Sequence, residues 1–387
     1  MERINERLLS WASILDEQAR QQAITASGMP FVHPHIALMP DAHLGKGATV
    51  GSVLPTIGAI MPAAVGVDIG CGMMAVRTQY LGGQLTGDRQ RLHSAIAAAI
   101  PLSAGKYNTG VRAEHTRRRI DELASMPGVA QAEQVAANWR LQLGSLGSGN
   151  HFIEVGLDSH DRVWLFLHSG SRGVGNKLAS MHIRIAQQLC RRRAVDLPHP
   201  DLAYLAEGEP EFDAYSEALR WAQHFALLNR TEMMDRVVAA FERWHGGSVE
   251  ATEVVNCHHN YTESEEHFGE RVWVSRKGAI SARAGEPGLI PGSMGAASYV
   301  VAGRGNRLSL CSAPHGAGRN HSRSAARRLF TRADVDRRMS GIAWGRSDAF
   351  LDEHPDAYKD IDRVMADAAE LVEIRHTLHQ IVNVKGD

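Results

Sequence analysis

Asp68 and Cys71 lie three residues apart in the Gly-flanked block GVDIGCGM, residues 66–73. Glycines permit tight backbone turns, so a carboxylate and a thiolate there could face one centre and bind a metal. The plainer alternative is a small buried cysteine beside a capping aspartate. Three further blocks add histidines. His151 follows the Gly/Ser turn of LGSGNHFIE (146–154), and His168 stands at the end of the apolar run VWLFL. His258 and His259 follow Val254 and Val255 in NCHHNY (256–261). Each block puts histidine where a buried strand meets a loop, the place where a scaffold presents ligands rigidly. A single strand-end histidine is more often structural. Three such blocks beside Asp68 and Cys71 point to a metal centre. One Asp, one Cys and three His exceed the needs of one four-coordinate ion, and two ions sharing the thiolate would use them economically. Thiolate and imidazole favour zinc or iron, whereas carboxylate, water and phosphate favour manganese or magnesium. The residues leave the metal open.

A second block, PHGAGRNHSRSAARR (314–328), places His315 before glycines and then Arg319, Arg323, Arg327 and Arg328. Glycine allows close approach of a bulky anion, and arginine binds phosphate bidentately. His315 could bind phosphate, act as a general acid, or be a nucleophile forming a phosphoramidate. The competing reading is a solvated basic helix, which suits Arg327 and Arg328. Arg172, in the loop with His168, is another phosphate candidate. The block PGSMGAAS (291–298) offers Ser293, Ser298 and backbone N–H groups to cradle a nucleotide. A two-metal centre beside a Gly/Arg phosphate site means phosphoryl or nucleotidyl transfer. Ligase and hydrolase both remain open at this point.

The elements that must position these residues are legible in outline. Ile4, Leu8, Trp11, Ile14 and Leu15 predict an amphipathic helix over 1–26. Residues 36–78, Gly-rich and Pro-punctuated, predict buried strands joined by tight loops. A charged helical stretch follows over 112–143, then strand and loop over 144–175. Helices are expected at 176–194 and 212–245, strands and loops over 250–320, a helix near 356–376 and a strand-like end. The candidate ligands are scattered along the whole length, with no linker, repeat or low-complexity segment, so one fold must gather them. The expectation is a single α+β domain over 1–387, a central mixed β core flanked by helices.

The bulk composition narrows the class. With 387 residues and 44% hydrophobic content the chain can bury a substantial core. Net charge is −1, unlike a protein that coats nucleic acid. Contact with nucleic acid must come from local patches or a metal. No apolar run approaches the length of a membrane span, and the charged N-terminus MERINERLLSWASILDEQAR lacks a signal-peptide core, so a cytoplasmic location is expected. Cys71, Cys190, Cys257 and Cys311 form no CxxC pair, and no disulfides are expected.

Taken together, MPDAHLGKG, GVDIGCGM, GSGNHFIEV, HSGSRGVG, the HNY of 259–261, LIPGSMGAASYVVAG, HGAGR, AYKDID and the terminal VKG resemble the RtcB family of RNA ligases, in the family's order, from about residue 38 to residue 386. The resemblance implies a GTP- and manganese-dependent enzyme joining RNA 3′-phosphate or 2′,3′-cyclic phosphate ends to 5′-hydroxyl ends. It implies two Mn²⁺ ions held by Asp68, Cys71, His151, His168 and His259, with Cys71 bridging, and His315 as the guanylylated nucleophile. It further implies a nucleotide pocket. There Asn150 contacts phosphate, Glu154 reads the guanine edge, Tyr358 lies against the base and Lys385 holds the nucleotide, with Ser293, Ser298 and Gly316 in the same pocket. His258 is not carried over as a ligand. The alternative within enzymes is a two-metal RNA-end phosphatase or cyclic phosphodiesterase, which would not need His315, Glu154 or Lys385.

Overall fold

The computed structural model describes residues 1–386. Two sheets carry the architecture. An eight-stranded sheet runs Ala251–His258, Gly72–Leu81, Arg162–Ser169, Phe152–Leu157, Val372–Lys385, Ser298–Gly303 and Pro287–Pro291, with Ala343–Trp344 parallel beside Val372–Lys385. A six-stranded sheet runs Glu2–Asn5, Leu8–Ser10, Ile36–His43, Val50–Thr56, Glu270–Lys277 and Asn260–His267. Most pairs are antiparallel, and Leu8–Ser10 pairs in parallel with Ile36–Leu38. This is the expected mixed β core with flanking helices.

The strand Arg162–Ser169 explains why its sequence is apolar throughout rather than alternating. Trp164 and Phe166 point into a core shared with Leu9, Met39, Val53, Val272 and Val274 of the other sheet. Val163, Leu165 and Leu167 point the other way, onto Met233, Val237 and Phe241 of the helix Pro210–His245 and onto Leu92 and Ile96 of the helix Arg89–Ala99. A sheet covered on both faces needs apolar side chains at every position. The outer face of the six-stranded sheet is covered in the same way, with Ile36, Leu38 and Leu54 against Ala23 and Ala26 of the helix Glu17–Ser27. No helix is long and apolar enough to cross a membrane among the described residues. All four cysteines are free.

Three expected helices differ. Over 1–26 the chain forms the strands Glu2–Asn5 and Leu8–Ser10 before a helix at Glu17–Ser27. Leu8, Leu9, Ser10 and Trp11 are all buried, which a helix stripe cannot arrange. Asp16 caps the real helix, accepting from the N–H groups of Gln18 and Ala19. The stretch 112–143 breaks into Glu114–Ser125, Val129–Val135 and Trp139–Gln142. Pro127 has no N–H to continue the first of these. Near the C-terminus only Ile361–Asp367 is helical, and Val372–Lys385 is one 14-residue strand, because its N-terminal half pairs with Ser298–Gly303. The helices expected at 176–194 and 212–245 are present as Arg172–Arg192 and Pro210–His245.

Candidate active site

Strand register assembles the site. Met73 and Phe152 both pair with His168, Gly72 pairs with His258, and Met73 pairs with Cys257. Cys71, His151, His168 and His259 therefore emerge at the same end of adjacent strands. The Cys71 Sγ lies 3.3 Å from the Nε2 atoms of both His151 and His168. The Nε2 atoms of His168 and His259 are 2.9 Å apart, and His151 Nε2 is 3.1 Å from Asp68 Oδ2. Cys71, His151, His168 and His259 are buried.

The outward ring nitrogens are engaged elsewhere. His151 Nδ1 meets the Leu146 carbonyl at 2.9 Å, His168 Nδ1 the Asn150 carbonyl at 3.1 Å, and His259 Nδ1 the Asn260 side-chain oxygen at 3.2 Å. A ring that donates from Nδ1 leaves Nε2 as a lone-pair donor to metal. Burial, with neighbouring imidazoles, holds His168 and His259 well below the ordinary histidine value, so both are neutral. Burial would raise the Asp68 carboxyl, but hydrogen bonding and charge from His151 bring it down to about 2. Burial and the Asp68 charge push the Cys71 thiol well up. A carboxylate, a sulfur and three imidazoles, His168 and His259 held neutral by burial, converge and fit divalent metal, whose charge would supply what the thiol needs to ionise.

Two glycines leave room for this. A Cβ on Gly170 would sit 2.3 Å from the Asp68 carboxylate oxygens, and one on Gly147 (φ 96°) would sit 2.0 Å from the Arg172 guanidinium. Beneath the loops lie Asn229 and Arg230, buried mid-helix in Pro210–His245. Arg230 donates to the carbonyls of Gly70 (2.8 Å) and Ser169 (3.1 Å) and to Asn256 (2.8 Å), and lies 3.1 Å from His258 Nδ1. Asn229 accepts from Gly144 N–H and donates to Ser145 and Gly170 carbonyls. His258 is thus held in this underlying network, away from the cluster.

A cavity of about 350 Å³ opens beside the cluster, lined by Asp68, His168 and His259 and by Asn150, Glu154, Ser293, His315, Gly316, Tyr358 and Lys385. The His315 ring packs 4.6 Å from that of His259. Its Nδ1 is 2.6 Å from Oδ2 of the fully buried Asp41, at ion-pair distance but off the line of a hydrogen bond, while the His315 backbone N–H donates to the same oxygen at 3.2 Å. Lys359 fixes the chain around Asp41 by donating to the carbonyls of Ile14, Pro40 and Ala42.

At the far wall, burial pushes the Glu154 carboxyl up to about 8, with Ser298 and Lys385 offsetting part of the rise. Ser298 lies behind it and donates at 3.2 Å; Asn383 donates to its other oxygen at 3.4 Å. Burial would also raise Glu353, yet Lys385 and Arg323 hold it at about 2. Glu353 accepts from Lys385 at 2.9 Å and from the Tyr358 hydroxyl at 2.5 Å. Arg319 lies over the Tyr358 ring, 4.8 Å from its centroid, and bonds Glu353 and the Asp352 carbonyl; Arg323 bonds Asp352 and Glu353 at 2.7 Å. Arg319 and Arg323 line the cavity already paired with acids. Arg172 sits behind His151, 3.4 Å from its Nδ1 and bonded to Ser145, and Arg327 pairs with Asp352.

Sequence reasoning passed over Asp41, Glu353, Asn229 and Arg230. Asp41 had a signal, an acid in MPDAHLGKG between an apolar strand and a Gly loop. Asn229–Arg230 stands out as a polar pair inside the apolar run ALLNRTEMM. Glu353, among four other acids in residues 348–360, offered none.

The profile of the tRNA-splicing ligase RtcB family matches residues 22–386. The chain is 46% identical to the RNA-splicing ligase RtcB of Escherichia coli K12 across 96% of its own length and 95% of the relative's. It is 30% identical to the tRNA-splicing ligase RtcB of Pyrobaculum aerophilum, covering 91% of this chain and 87% of that one. A third similar protein is the RNA-splicing ligase RtcB of Mycobacterium bovis, at 29% identity over 89% and 94% of the two chains. Matched over nearly its full length, with its strand-end histidines gathered around one cavity, the chain belongs to the RtcB family.

Proposed function

We propose that the protein is a GTP- and manganese-dependent RNA ligase, acting as one catalytic domain and joining RNA 3′-phosphate or 2′,3′-cyclic phosphate ends to 5′-hydroxyl ends. The observation that carries this reading is His315, packed against a histidine of the metal cluster on one side and against the buried Asp41 carboxylate on the other. A hydrolytic two-metal site could use such a histidine as a general acid but would not need it as a nucleophile. Asp68, Cys71, His151, His168 and His259 would hold two Mn²⁺ ions, which would supply Lewis-acid stabilisation of charge on phosphoryl oxygens.

The remaining chemistry belongs to the chain. The negative charge of Asp41 beside His315 Nδ1 would favour the tautomer protonated there, leaving Nε2 free for the α-phosphorus of GTP. A P–N bond forms, the α–β P–O bond breaks and pyrophosphate leaves. The RNA 3′-phosphate then attacks the phosphoramidate, giving an RNA–ppG end and freeing His315. The 5′-hydroxyl attacks that end, a 3′,5′-phosphodiester forms and GMP leaves. A 2′,3′-cyclic phosphate is first hydrolysed to the 3′-phosphate. Glu154 reads the guanine edge, Tyr358 borders the base, and Lys385, Asn150, Ser293 and Gly316 surround the remainder. The expected location is the cytoplasm.

The test is incubation with α-labelled GTP and Mn²⁺. Acid-labile, protein-linked GMP is expected on the wild type and none on His315→Ala. An unlabelled wild type in a folded, metal-loaded sample would overturn the ligase reading; label surviving in His315→Ala would overturn the nucleophile.

A further inference from the structure

A second cleft, about 1010 Å³, runs between the segment 97–116 and the helix Pro210–His245. It has roughly three times the volume of the catalytic cavity. Lys106, Arg112, Arg140, Arg236 and Arg243 line it, and Glu232 is the one acid among its described lining residues. That acid is already neutralised, since Glu232 is buried and bonded to Arg119 and Arg236. Arg140 pairs with Glu133. Lys106, Arg112 and Arg243 are exposed and make no ion pair or side-chain hydrogen bond among the described residues. On a chain of net charge −1 this is a local concentration of unpaired positive charge.

The cleft adjoins the metal centre. Its lining residue Tyr107 brings its hydroxyl 2.9 Å from where a Cβ on Gly173 would stand. Gly173 follows Arg172, whose guanidinium reaches His151. Ser103, on the same segment, donates its backbone N–H to the Gly147 carbonyl at 2.9 Å. Tyr107, Gly173 and Arg172 thus connect the cleft to His151 of the cluster.

We propose that this cleft is a binding groove for the ribose-phosphate backbone of a single-stranded RNA end, holding nucleotides remote from the join. This deepens the ligase reading and rests on it for the identity of the polyanion. Unpaired cations on facing walls suit an anion that repeats along its length. A compact nucleotide would leave most of the volume empty, and the lining offers no deep aromatic pocket of the kind that anchors a protein partner.

The test compares wild type with Lys106→Ala/Arg112→Ala/Arg243→Ala, using RNAs of tens of nucleotides and of only a few. The triple variant should bind the long RNA tenfold or more weakly, with the short RNA's KM unchanged. Its plot of log Kd against log salt should be shallower by about two, at roughly 0.7 per lost contact on a single strand. Arg117→Ala/Arg118→Ala, exposed and outside the cleft, should match wild type. Unchanged affinity and salt slope in the triple variant would overturn the proposal, as would equal competition by polyglutamate, which would mark an acidic-protein surface. GMP labelling without RNA should be the same in all three proteins. Its absence from wild type would strike the ligase reading, while the RNA affinities still decide the groove.

Discussion

Glu154 gives a prediction with a worked magnitude. It is 4% exposed, lines the cavity beside His315, and burial places its carboxyl at about 8. Guanine presents two N–H donors on the edge Glu154 is proposed to read, and these need an ionised carboxylate. Binding must therefore expel the proton. With a value near 8, about three quarters of the molecules are protonated at pH 7.5 and about one quarter at pH 8.5. GMP should then release about 0.75 proton at pH 7.5 and about 0.25 at pH 8.5, with affinity rising about threefold across that unit. Metal-free calorimetry in two buffers of different ionisation enthalpy reads the proton count directly, in a range where the phosphate of GMP is already fully ionised. In Glu154→Gln the linked release should vanish and affinity should fall about 10- to 100-fold, the worth of about 1.5–3 kcal/mol for hydrogen bonds to a charged group. Tight binding without proton release by the wild type, or release that persists in Glu154→Gln, would refute the reasoning. The same shift has a stability consequence. A carboxyl raised from 4.5 binds more protons folded than unfolded, so its contribution to stability falls as pH rises from 4.5 to 8.

Cys71→Ala should lose Mn²⁺ binding and GMP labelling while keeping its far-ultraviolet circular dichroism; retained manganese and full activity would refute the bridging role. Asp41→Asn should slow GMP labelling by about 100-fold or more, with GMP affinity unchanged, because it acts on the orientation of His315 rather than on the nucleotide; an equal loss of affinity would say otherwise. Glu353, lowered to about 2 by Lys385 and Arg323 against the effect of burial, contributes stability above pH 4.5 that is lost as pH falls through 2. That amounts to about 3 kcal/mol. Glu353→Gln should be less stable by a similar amount at neutral pH and show a flatter acid limb in denaturant titrations.

Much of the site was legible because strand-end histidines carry their own signal. An apolar run ending in His168, or a Gly turn before His151, states both the element and the side chain it presents. What was not legible is long-range pairing. Leu8 and Trp11 fall on a helical stripe locally, and pairing with Glu2–Asn5 on one side and Ile36–Leu38 on the other makes Leu8–Ser10 a strand. The last strand was expected to be short for a related reason: the half that pairs with Ser298–Gly303 contains Glu373, Arg375 and His376, whose polarity suits a helix surface equally well. Phosphate candidates were read from charge alone. The sequence does not reveal that Asp352 and Glu353 come back from outside the block to pair with Arg319, Arg323 and Arg327.

The helix Pro210–His245 is 36 residues long, about 54 Å at 1.5 Å per residue. Asn229 and Arg230 tie its middle to the loops beside Cys71 and His168, and Glu232, Arg236 and Arg243, within the next four turns, line the second cleft. One unbroken helix joins the two, so they are expected to open to solvent together. Amide hydrogen exchange along residues 229–243 should slow together when metal is loaded. Metal that tightens the loops at one end also stiffens the floor of the cleft at the other.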